Sequence, residues 1–226
     1  MKRLGIYGLT ELLEQVPAYQ QVADSLRDKQ NLIRAQIIDE GVPFLLSTLW
    51  QDLMTPMLII CPTTEQSLRL TERISAWTEG HGEPIRFGES ESLPFERTAT
   101  DNETSHQRIS TLAKLIKPGE KAPLLITSAN AMCQTTIDRQ VMEKTQHNLS
   151  VGDEISLNDI SSKWEQMGYQ FEATVSTPGQ ASRRGGIIDV FPVTSSLPYR
   201  IELWGDQIDS IRTFDPQTQR AIKEVQ

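Results

Sequence analysis

The chain has few of the residues on which metal and disulfide chemistry depend. Of its 226 residues only two are cysteines, Cys61 and Cys133, and three are histidines. The two cysteines stand far apart in sequence, form no CxxC pair and have no histidine close to them. These spacings exclude a zinc site and a disulfide framework as organising features, and we expect two buried structural thiols.

Long hydrophobic runs are also missing. The longest is the five-residue segment Met57–Cys61, whereas a bilayer-spanning helix needs about 18 apolar residues or more. Met1-Lys2-Arg3 carries positive charge, but no apolar run follows it. A secretory signal peptide is therefore not expected, and a cytoplasmic location is the default prediction.

Positive charge is in deficit. The chain has 22 lysines and arginines against 30 acidic residues, which gives a formal net charge of −8. A chain of this charge repels a phosphate backbone unless its cations are clustered. The balance favours a protein partner and predicts weak or no DNA binding by this segment.

The first part of the chain alternates helical and apolar extended patterns. Such alternation predicts a parallel sheet with helices on both faces, and residues 57–61 are expected to be a strand buried on both sides. The predicted strands are 31–39, 57–61, 84–87 and 123–127, and the predicted helices are 10–28, 42–54, 65–78 and 103–116.

After residue 130 the pattern changes to one of short strands joined by turns. Ser156 or Asn158 is expected to cap a helix that ends at Met167, and the strands predicted after it are 169–175, 186–191, 199–204 and 207–214. In the last hairpin Ile201, Leu203, Ile208 and Ile211 form the apolar set. The fold prediction is an α/β domain over residues 1–130, of degenerate P-loop type, and a smaller α+β domain with an antiparallel sheet over residues 131–226.

A nucleotide-binding sheet of this kind would need a phosphate loop, and the chain lacks one. The turn before residue 57 that could hold it, which begins at Gly41, has one glycine, no lysine and a proline without an N–H. No Gly-Lys pair occurs anywhere in the sequence. Since the GxxxxGK[ST] motif supplies the backbone donors and the lysine that hold the phosphates, nucleotide hydrolysis by this segment is not expected.

Other catalytic patterns are absent as well. The sequence contains no GxSxG, HExxH or GxGxxG motif. His81, His106 and His147 stand among polar residues and are expected on the surface. Glu89, Glu91 and Glu96 could form a carboxylate pair, but their turn-rich surroundings favour a solvated loop.

The strongest local signal is the segment 177–192, TPGQASRRGGIIDVFP. It can be a plain hairpin, in which Gly185-Gly186 provides a tight turn and the two arginines are solvated. It can equally be a small cationic binding site formed by Arg183 and Arg184, because arginine suits carboxylates and is favoured at interfaces. The residues alone leave both interpretations open.

At this point a family resemblance is visible. Residues 184–219 read RGGIIDVFPVTSSLPYRIELWGDQIDSIRTFDPQTQ and closely resemble the UvrA-interaction domain shared by the excision-repair protein UvrB and the transcription-repair coupling factor. Val151-Gly152-Asp153 and Gly168-Tyr169 fit upstream. In the first half, MLIICPTTEQSLRLTERI, SESLPFERTATDN and SHQRISTLAKL resemble UvrB, so the likeness covers about residues 30–226.

The missing phosphate loop distinguishes between these relatives. UvrB carries an intact loop, whereas the coupling factor carries a degenerate UvrB-like module at its N-terminus, which this chain resembles. The resemblance implies a module for nucleotide excision repair that binds UvrA and has no enzymatic activity, cofactor or metal of its own. The parent would be an ATP-dependent DNA translocase, with ATP and magnesium in a downstream motor and with RNA polymerase and double-stranded DNA as partners.

Two alternatives stand beside this interpretation. One is a UvrB-like DNA-dependent ATPase, which the missing phosphate loop disfavours. The other is a DNA-binding domain that uses the arginine hairpin, which the net charge of −8 disfavours.

The resemblance also selects residues for UvrA docking. Arg184 matches the arginine of the family's Arg-Gly pair, and Arg183 is an additional cation beside it. Relatives often carry a basic residue just after the Gly-Tyr pair, but Gln170 and Phe171 stand there in this chain. The predicted docking set is therefore Arg183, Arg184, Gln170 and Phe171.

Overall fold

The computed structural model describes residues 8–29, 32–78, 82–90, 102–116, 119 and 121–225. The chain divides into two compact units, one from residues 1–104 and 114–135 and the other from residues 105–113 and 136–226. None of the helices among the described residues is long and apolar enough to cross a membrane. The helices are α1 Gly8–Leu13, α2 Pro17–Arg27, α3 Val42–Leu53, α4 Thr64–Thr78, α5 Asn102–Ile116, α6 Ala129–Cys133, α7 Arg139–Thr145 and α8 Leu157–Gln166.

Strands form one sheet in each unit. The first sheet contains β1 Met57–Cys61, β2 Ile85–Phe87 and β3 Leu124–Ser128. The second contains β4 Gln170–Phe171, β5 Gln180–Arg184, β6 Ile187–Val190, β7 Tyr199–Trp204, β8 Gln207–Phe214 and β9 Ala221–Val225. The predicted class, a parallel α/β sheet together with a second sheet domain, is confirmed.

The first sheet is parallel, with β3 between β1 and β2. Helices α3 and α4 cover one of its faces, where Trp50, Ile74, Leu124 and Ile126 are buried together. Thr63 begins α4 by accepting a hydrogen bond from the Gln66 N–H at 3.2 Å. Burial of this apolar face, as the sequence predicted, holds the unit together.

Two expectations for the first unit are wrong. The described part of the predicted strand 31–39 has no regular structure and ends in a 3₁₀ turn at Asp39–Gly41, because no neighbouring strand pairs with it and Leu32 and Ile38 stay exposed. The strand β1 is buried on one face only, since Leu58 and Ile60 are exposed. As an edge strand it alternates buried and exposed positions, although its sequence is continuously apolar.

The second sheet has the strand order β4-β5-β6-β7-β8-β9. The strands β5 to β9 pair antiparallel, as predicted, but β4 pairs parallel with β5. The predicted strand 169–175 shortens to the two residues of β4, and β5 and β9 were not predicted at all. The strand β5 is rich in polar residues, and β9 is short and mostly exposed, so neither has a clear alternating pattern.

Helix α8 packs on one face of this sheet and makes the main core of the unit. Ile160 and Trp164 are buried against a group of strand residues, which comprises Ala181, Ile188, Val190, Ile201, Ile208 and Ile211. Ser156 is the N-cap of α8 and accepts the Asp159 N–H at 3.3 Å, so the first of the two predicted caps is confirmed.

Residues 105–113 of α5 group with the second unit, although they precede β3 in sequence. His106, expected on the surface, is half-buried, and a Cβ built on Gly179 would lie 2.8 Å from its Cε1. His147 is exposed, as expected, and its Nδ1 accepts the indole N–H of Trp164 at 3.3 Å. The expectation for His106 is therefore wrong and that for His147 is confirmed, whereas His81 lies outside the described residues.

The two cysteines differ in their exposure to solvent. Cys61 is buried, as expected, but Cys133 at the end of α6 is exposed. Both thiols are free. Among the described residues no group of three or more histidine, cysteine or acidic side chains could hold a metal ion.

Candidate protein-docking site

The two arginines predicted to act together lie on opposite faces of the second sheet. Arg183 pairs with Ile188 and Arg184 with Ile187 across the β5–β6 hairpin. Since successive side chains of a strand point to opposite faces, Arg183 shares the face of α8 with Ile188, and Arg184 lies on the other, which we call the outer face. The structure therefore does not bring the pair together as a single cationic site.

Gly185-Gly186 forms the tight turn between the two strands. Gly185 has a φ of +61°, a left-handed conformation that glycine adopts without a steric cost. A Cβ on Gly186 would lie 3.1 Å from the carbonyl oxygen of Leu203. The hairpin interpretation of this segment is thus correct as local structure, and it is the hairpin that places Arg184 on the outer face.

Arg184 belongs to a charged cluster centred on Asp189. The Asp189 side chain is 1% exposed and accepts a hydrogen bond at 3.0 Å from Nη2 of Arg184. It also accepts two bonds of 2.8 Å from Nε and Nη2 of Arg200. A buried carboxylate needs such partners, because an unpaired charge in the interior is costly.

The two arginines of this cluster differ in their surroundings. The Arg200 side chain is 22% exposed and its guanidinium lies 4.8 Å from the centre of the Phe214 ring. The hydrogen bonds that Arg200 donates to Asp189 raise the pKa of Arg200 above its ordinary value, against the opposing effect of burial. The Arg184 side chain is 54% exposed and makes one side-chain hydrogen bond within the described chain.

The cluster carries a net positive charge on the outer face. One carboxylate, Asp189, faces two guanidinium groups, and Arg200 alone already binds both of its oxygens. A guanidinium has five N–H donors, so Arg184 retains donors directed to solvent. This arrangement can accept a carboxylate from a partner protein without giving up the internal ion pair.

Arg183 has a different neighbour. Its Nη1 donates to the side-chain oxygen of Asn158 at 2.7 Å, at the start of α8, and the contact is exposed to solvent. An exposed polar contact of this kind contributes little free energy. Arg183 is thus a solvated charge on the helix side of the sheet.

Gln170 and Phe171 also point to opposite faces. Gln170 pairs with Gln180 and Phe171 with Ala181, which places Gln170 on the outer face and Phe171 on the side of α8. Phe171 packs against the main core, so its immediate role is structural. Of the four predicted docking residues, Gln170 and Arg184 share the outer face.

The rest of the outer face carries alternating charges on β7, β8 and β9. Glu202 accepts a hydrogen bond from the Ser210 hydroxyl at 3.0 Å. Arg212 lies 3.6 Å from Glu202 and 3.8 Å from Glu224. Arg212 faces two carboxylates, so these three residues carry one net negative charge beside the net positive charge of the Asp189 cluster.

The residue that sequence reasoning missed at this site is Arg200. Asp189 interrupts the apolar run of β6, and such an interruption is a signal of a buried partner. The partner could not be found by spacing, because Arg200 comes from another strand and meets Asp189 only through the β6–β7 register.

The parallel sheet of the first unit is poorly suited to a nucleotide. At the N-terminus of α3, where a phosphate would be expected, the 3₁₀ turn contributes the acidic residues Asp39 and Glu40. The Ile37 side chain occupies the space beside Gly41, where a Cβ would lie 2.9 Å from Ile37 Cδ1. A phosphate at this turn would meet like charge and lack a lysine.

The second turn that could receive a phosphate, at the N-terminus of α4, also holds a carboxylate. Thr64 Oγ1 donates a hydrogen bond to Glu89. Glu91 and Glu96, the other residues of the predicted acidic loop, lie outside the described residues.

Comparison with known proteins agrees with the resemblance seen in the sequence. Residues 148–226 match a family model described as the UvrB interaction domain. The chain is 29% identical to the transcription-repair-coupling factor of Escherichia coli strain K12 over 76% of its length, and 29% identical to that of Myxococcus xanthus over 92%. It is 30% identical to that of Bacillus subtilis strain 168 over 78% of its length.

These relatives are much longer proteins. The matched region covers 14% of the Escherichia coli protein, 18% of the Myxococcus xanthus protein and 15% of the Bacillus subtilis protein. The second unit, which holds the Asp189 cluster, contains the whole region matched by the family model. Residues 148–226 are therefore similar to the UvrB interaction domain, and the chain is similar to part of the transcription-repair-coupling factors over most of its own length.

Proposed function

We propose that this chain is the UvrA-docking module of a transcription-repair-coupling factor and recruits UvrA to lesions at which RNA polymerase has stalled. The observation that carries the proposal is the Asp189 cluster, a net positive and partly exposed site on the outer face of a region similar to the UvrB interaction domain. Arg184 is its exposed member and would pair with a carboxylate of UvrA.

The parent protein, on this proposal, is an ATP-dependent translocase on double-stranded DNA that displaces RNA polymerase. The present chain contributes the protein contact, and its sheet without a phosphate loop serves as a scaffold. The similarity to coupling factors over most of the chain supports this division of labour.

Direct binding to UvrA tests the docking role. Calorimetric titration of UvrA with the chain should give a saturable complex, and Arg184→Ala should weaken it. Arg139→Ala is a matched control, because Arg139 is an exposed arginine of α7 that pairs with Glu143. Absence of a complex with the unmodified chain would overturn the proposal, and equal weakening by both variants would show a general charge effect rather than a site.

A separate titration tests the proposed absence of nucleotide chemistry. Mg-ATP added to the chain should produce no heat of binding, because the α3 turn carries Asp39 and Glu40 in place of a lysine. Binding at micromolar concentration would instead favour a UvrB-like ATPase. A gel shift with double-stranded DNA at low salt should likewise show little binding at a net charge of −8.

A further inference from the structure

The most exposed large hydrophobic side chain among the described residues is Trp204, at 86%. By contrast, Trp50 and Trp164 are buried in the cores of their units. An aromatic side chain of this size buries about 150–250 Å² when it packs. An indole left in water is therefore a large contact surface that the fold itself does not use.

Trp204 lies on the outer face beside the Asp189 cluster. Arg200, Glu202 and Trp204 alternate along β7 and so point to the same side of the sheet. Arg184 pairs with Ile187, and Ile187 pairs with Glu202, which puts Arg184 and Glu202 in one cross-strand row. Trp204 stands two residues beyond that row, so its backbone is about 12 Å from that of Arg184, from the spacings of strands and residues in a sheet.

The backbone that carries Trp204 is held on both sides. Leu203 donates its N–H to the carbonyl of Gly186 at 2.8 Å, which ties β7 to the β5–β6 turn. Trp204 pairs with Gln207 across the β7–β8 turn, and Ile155 donates its N–H to the carbonyl of Asp206 in that turn at 2.8 Å. A contact residue on such a framework loses little backbone freedom when a partner binds.

The charges nearest to Trp204 along β7 are already paired. Glu202 is bound by Ser210 and lies close to Arg212. A partner that covers the indole therefore meets a Glu202 carboxylate that already has its own partners. Tryptophan and arginine are also the residues most often found as binding hot spots.

We propose that Trp204 is a second anchor of the UvrA-docking surface and inserts its indole into an apolar pocket of UvrA while Arg184 pairs with a UvrA carboxylate. The inference rests on the proposed function, since it extends the same surface from the β5–β6 hairpin to the β7–β8 hairpin. It commits the pocket and the carboxylate of UvrA to one surface that faces two residues whose backbones lie about 12 Å apart.

Affinity measurements on three variants test the anchor. Trp204→Ala should weaken UvrA binding about tenfold or more, as truncation of an aromatic hot spot does. Trp204→Phe should retain part of the affinity, because an aromatic ring still enters the pocket. Met167→Ala is the control, because Met167 is also an exposed apolar residue but lies at the end of α8, and it should bind as the unmodified chain does.

Quenching of fluorescence provides a readout that altered folding would not imitate. The chain is labelled with 5-hydroxytryptophan so that its emission is separated from that of UvrA, and iodide is the quencher. The part of the fluorescence emission that is lost in Trp204→Phe belongs to Trp204, and we expect UvrA to protect this part of the emission from quenching by iodide.

The outcomes separate the two proposals. Suppose that UvrA binding depends on Arg184, that Trp204→Ala leaves the affinity unchanged, and that UvrA does not protect the indole from iodide. This result overturns the anchor and leaves the docking role intact. A chain that does not bind UvrA overturns both. Protection that increases with chain concentration in the absence of UvrA assigns the indole to a contact between copies of the chain and overturns the anchor.

Discussion

At the scale of single residues, Asp189 shows how one buried charge serves both stability and binding. Its carboxylate is bound at both oxygens by Arg200, and Arg184 adds one further bond from the solvent side. Arg184 therefore takes part in an internal ion pair and can also serve as a solvent-facing docking residue. The Arg184 side chain makes the contact with Asp189 and is still 54% exposed.

The two arginines should differ in their effect on folding. Arg200→Ala removes two of the three bonds to a buried carboxylate and should lower the free energy of unfolding by about 3 kcal/mol. Arg184→Ala leaves the Arg200 bonds in place, and the exposed contact it removes is worth about 1 kcal/mol or less. Urea denaturation of both variants measures the difference, and a larger loss for Arg184→Ala would contradict the assignment of Arg200 as the structural partner.

The two adjacent arginines of β5, Arg184 and Arg183, should differ in their effect on UvrA binding. Arg184→Ala should weaken the complex by about 30-fold or more, because truncation of a desolvated arginine costs about 2–4 kcal/mol. Arg183→Ala should cost less, and its effect should shrink with added salt, because Arg183 is a solvated charge on the other face. Calorimetry at two salt concentrations tests this, and a larger loss for Arg183→Ala would move the docking surface to the face of α8.

At the scale of elements, the position of α8 depends on one histidine as well as on apolar burial. Trp164 of α8 is buried in the main core, and its indole N–H donates to Nδ1 of His147. Only a neutral imidazole nitrogen can accept that bond. Partial desolvation of the ring, and to a lesser extent the charge of Lys163, lowers the pKa of His147 below the ordinary value of 6.5, although the residue as a whole is exposed.

This pKa shift gives the second unit a defined dependence on pH. As the pH falls below 6.5, the unfolded chain takes up a proton at His147 before the folded chain does. The free energy of unfolding should therefore be insensitive to this group above pH 6.5 and should fall between 6.5 and the lower pKa of the folded chain.

Urea denaturation across that range checks the expectation, with His147→Gln as the comparison. The variant should lose less stability on acidification than the unmodified chain. The pKa of His106 is also lowered by burial, so part of the slope should persist in the variant. An unchanged slope in His147→Gln would show that this bond does not couple folding to pH.

At the scale of the whole molecule, the two compact units do not correspond to two consecutive stretches of chain. Residues 105–113 lie in the middle of α5, between parts of the chain that belong to the first unit, yet they group with the second. Within that segment Arg108 and Thr111 are buried. The second unit therefore needs part of a helix that precedes the last strand of the first sheet in sequence.

Truncation should reveal this dependence. A fragment of residues 136–226 lacks the segment 105–113, so it should unfold at a lower urea concentration than a fragment of residues 102–226. The His106 ring beside Gly179 is one contact that the shorter fragment loses. Equal unfolding midpoints would show that residues 105–113 add no stability to the second unit.

The sequence by itself determined the class of the fold, because that information is local. Apolar runs and helical periodicity located β1, β3, α3, α4 and α5 to within a few residues, and the last hairpin, β7 and β8, was predicted at its observed bounds. The strands β5 and β9 were missed, since neither has an alternating apolar pattern of its own and both are formed by pairing with the strands beside them.

Only the tertiary structure decided which of the predicted residues can act together. Strand alternation places Arg184 and Gln170 on the outer face and Arg183 and Phe171 on the face of α8. Pairing of β6 with β7 brings Arg200 to Asp189, and the same outer face carries Trp204. Charges and aromatic rings can be read from a sequence, but their distances depend on strand register, which long-range pairing and core burial set together.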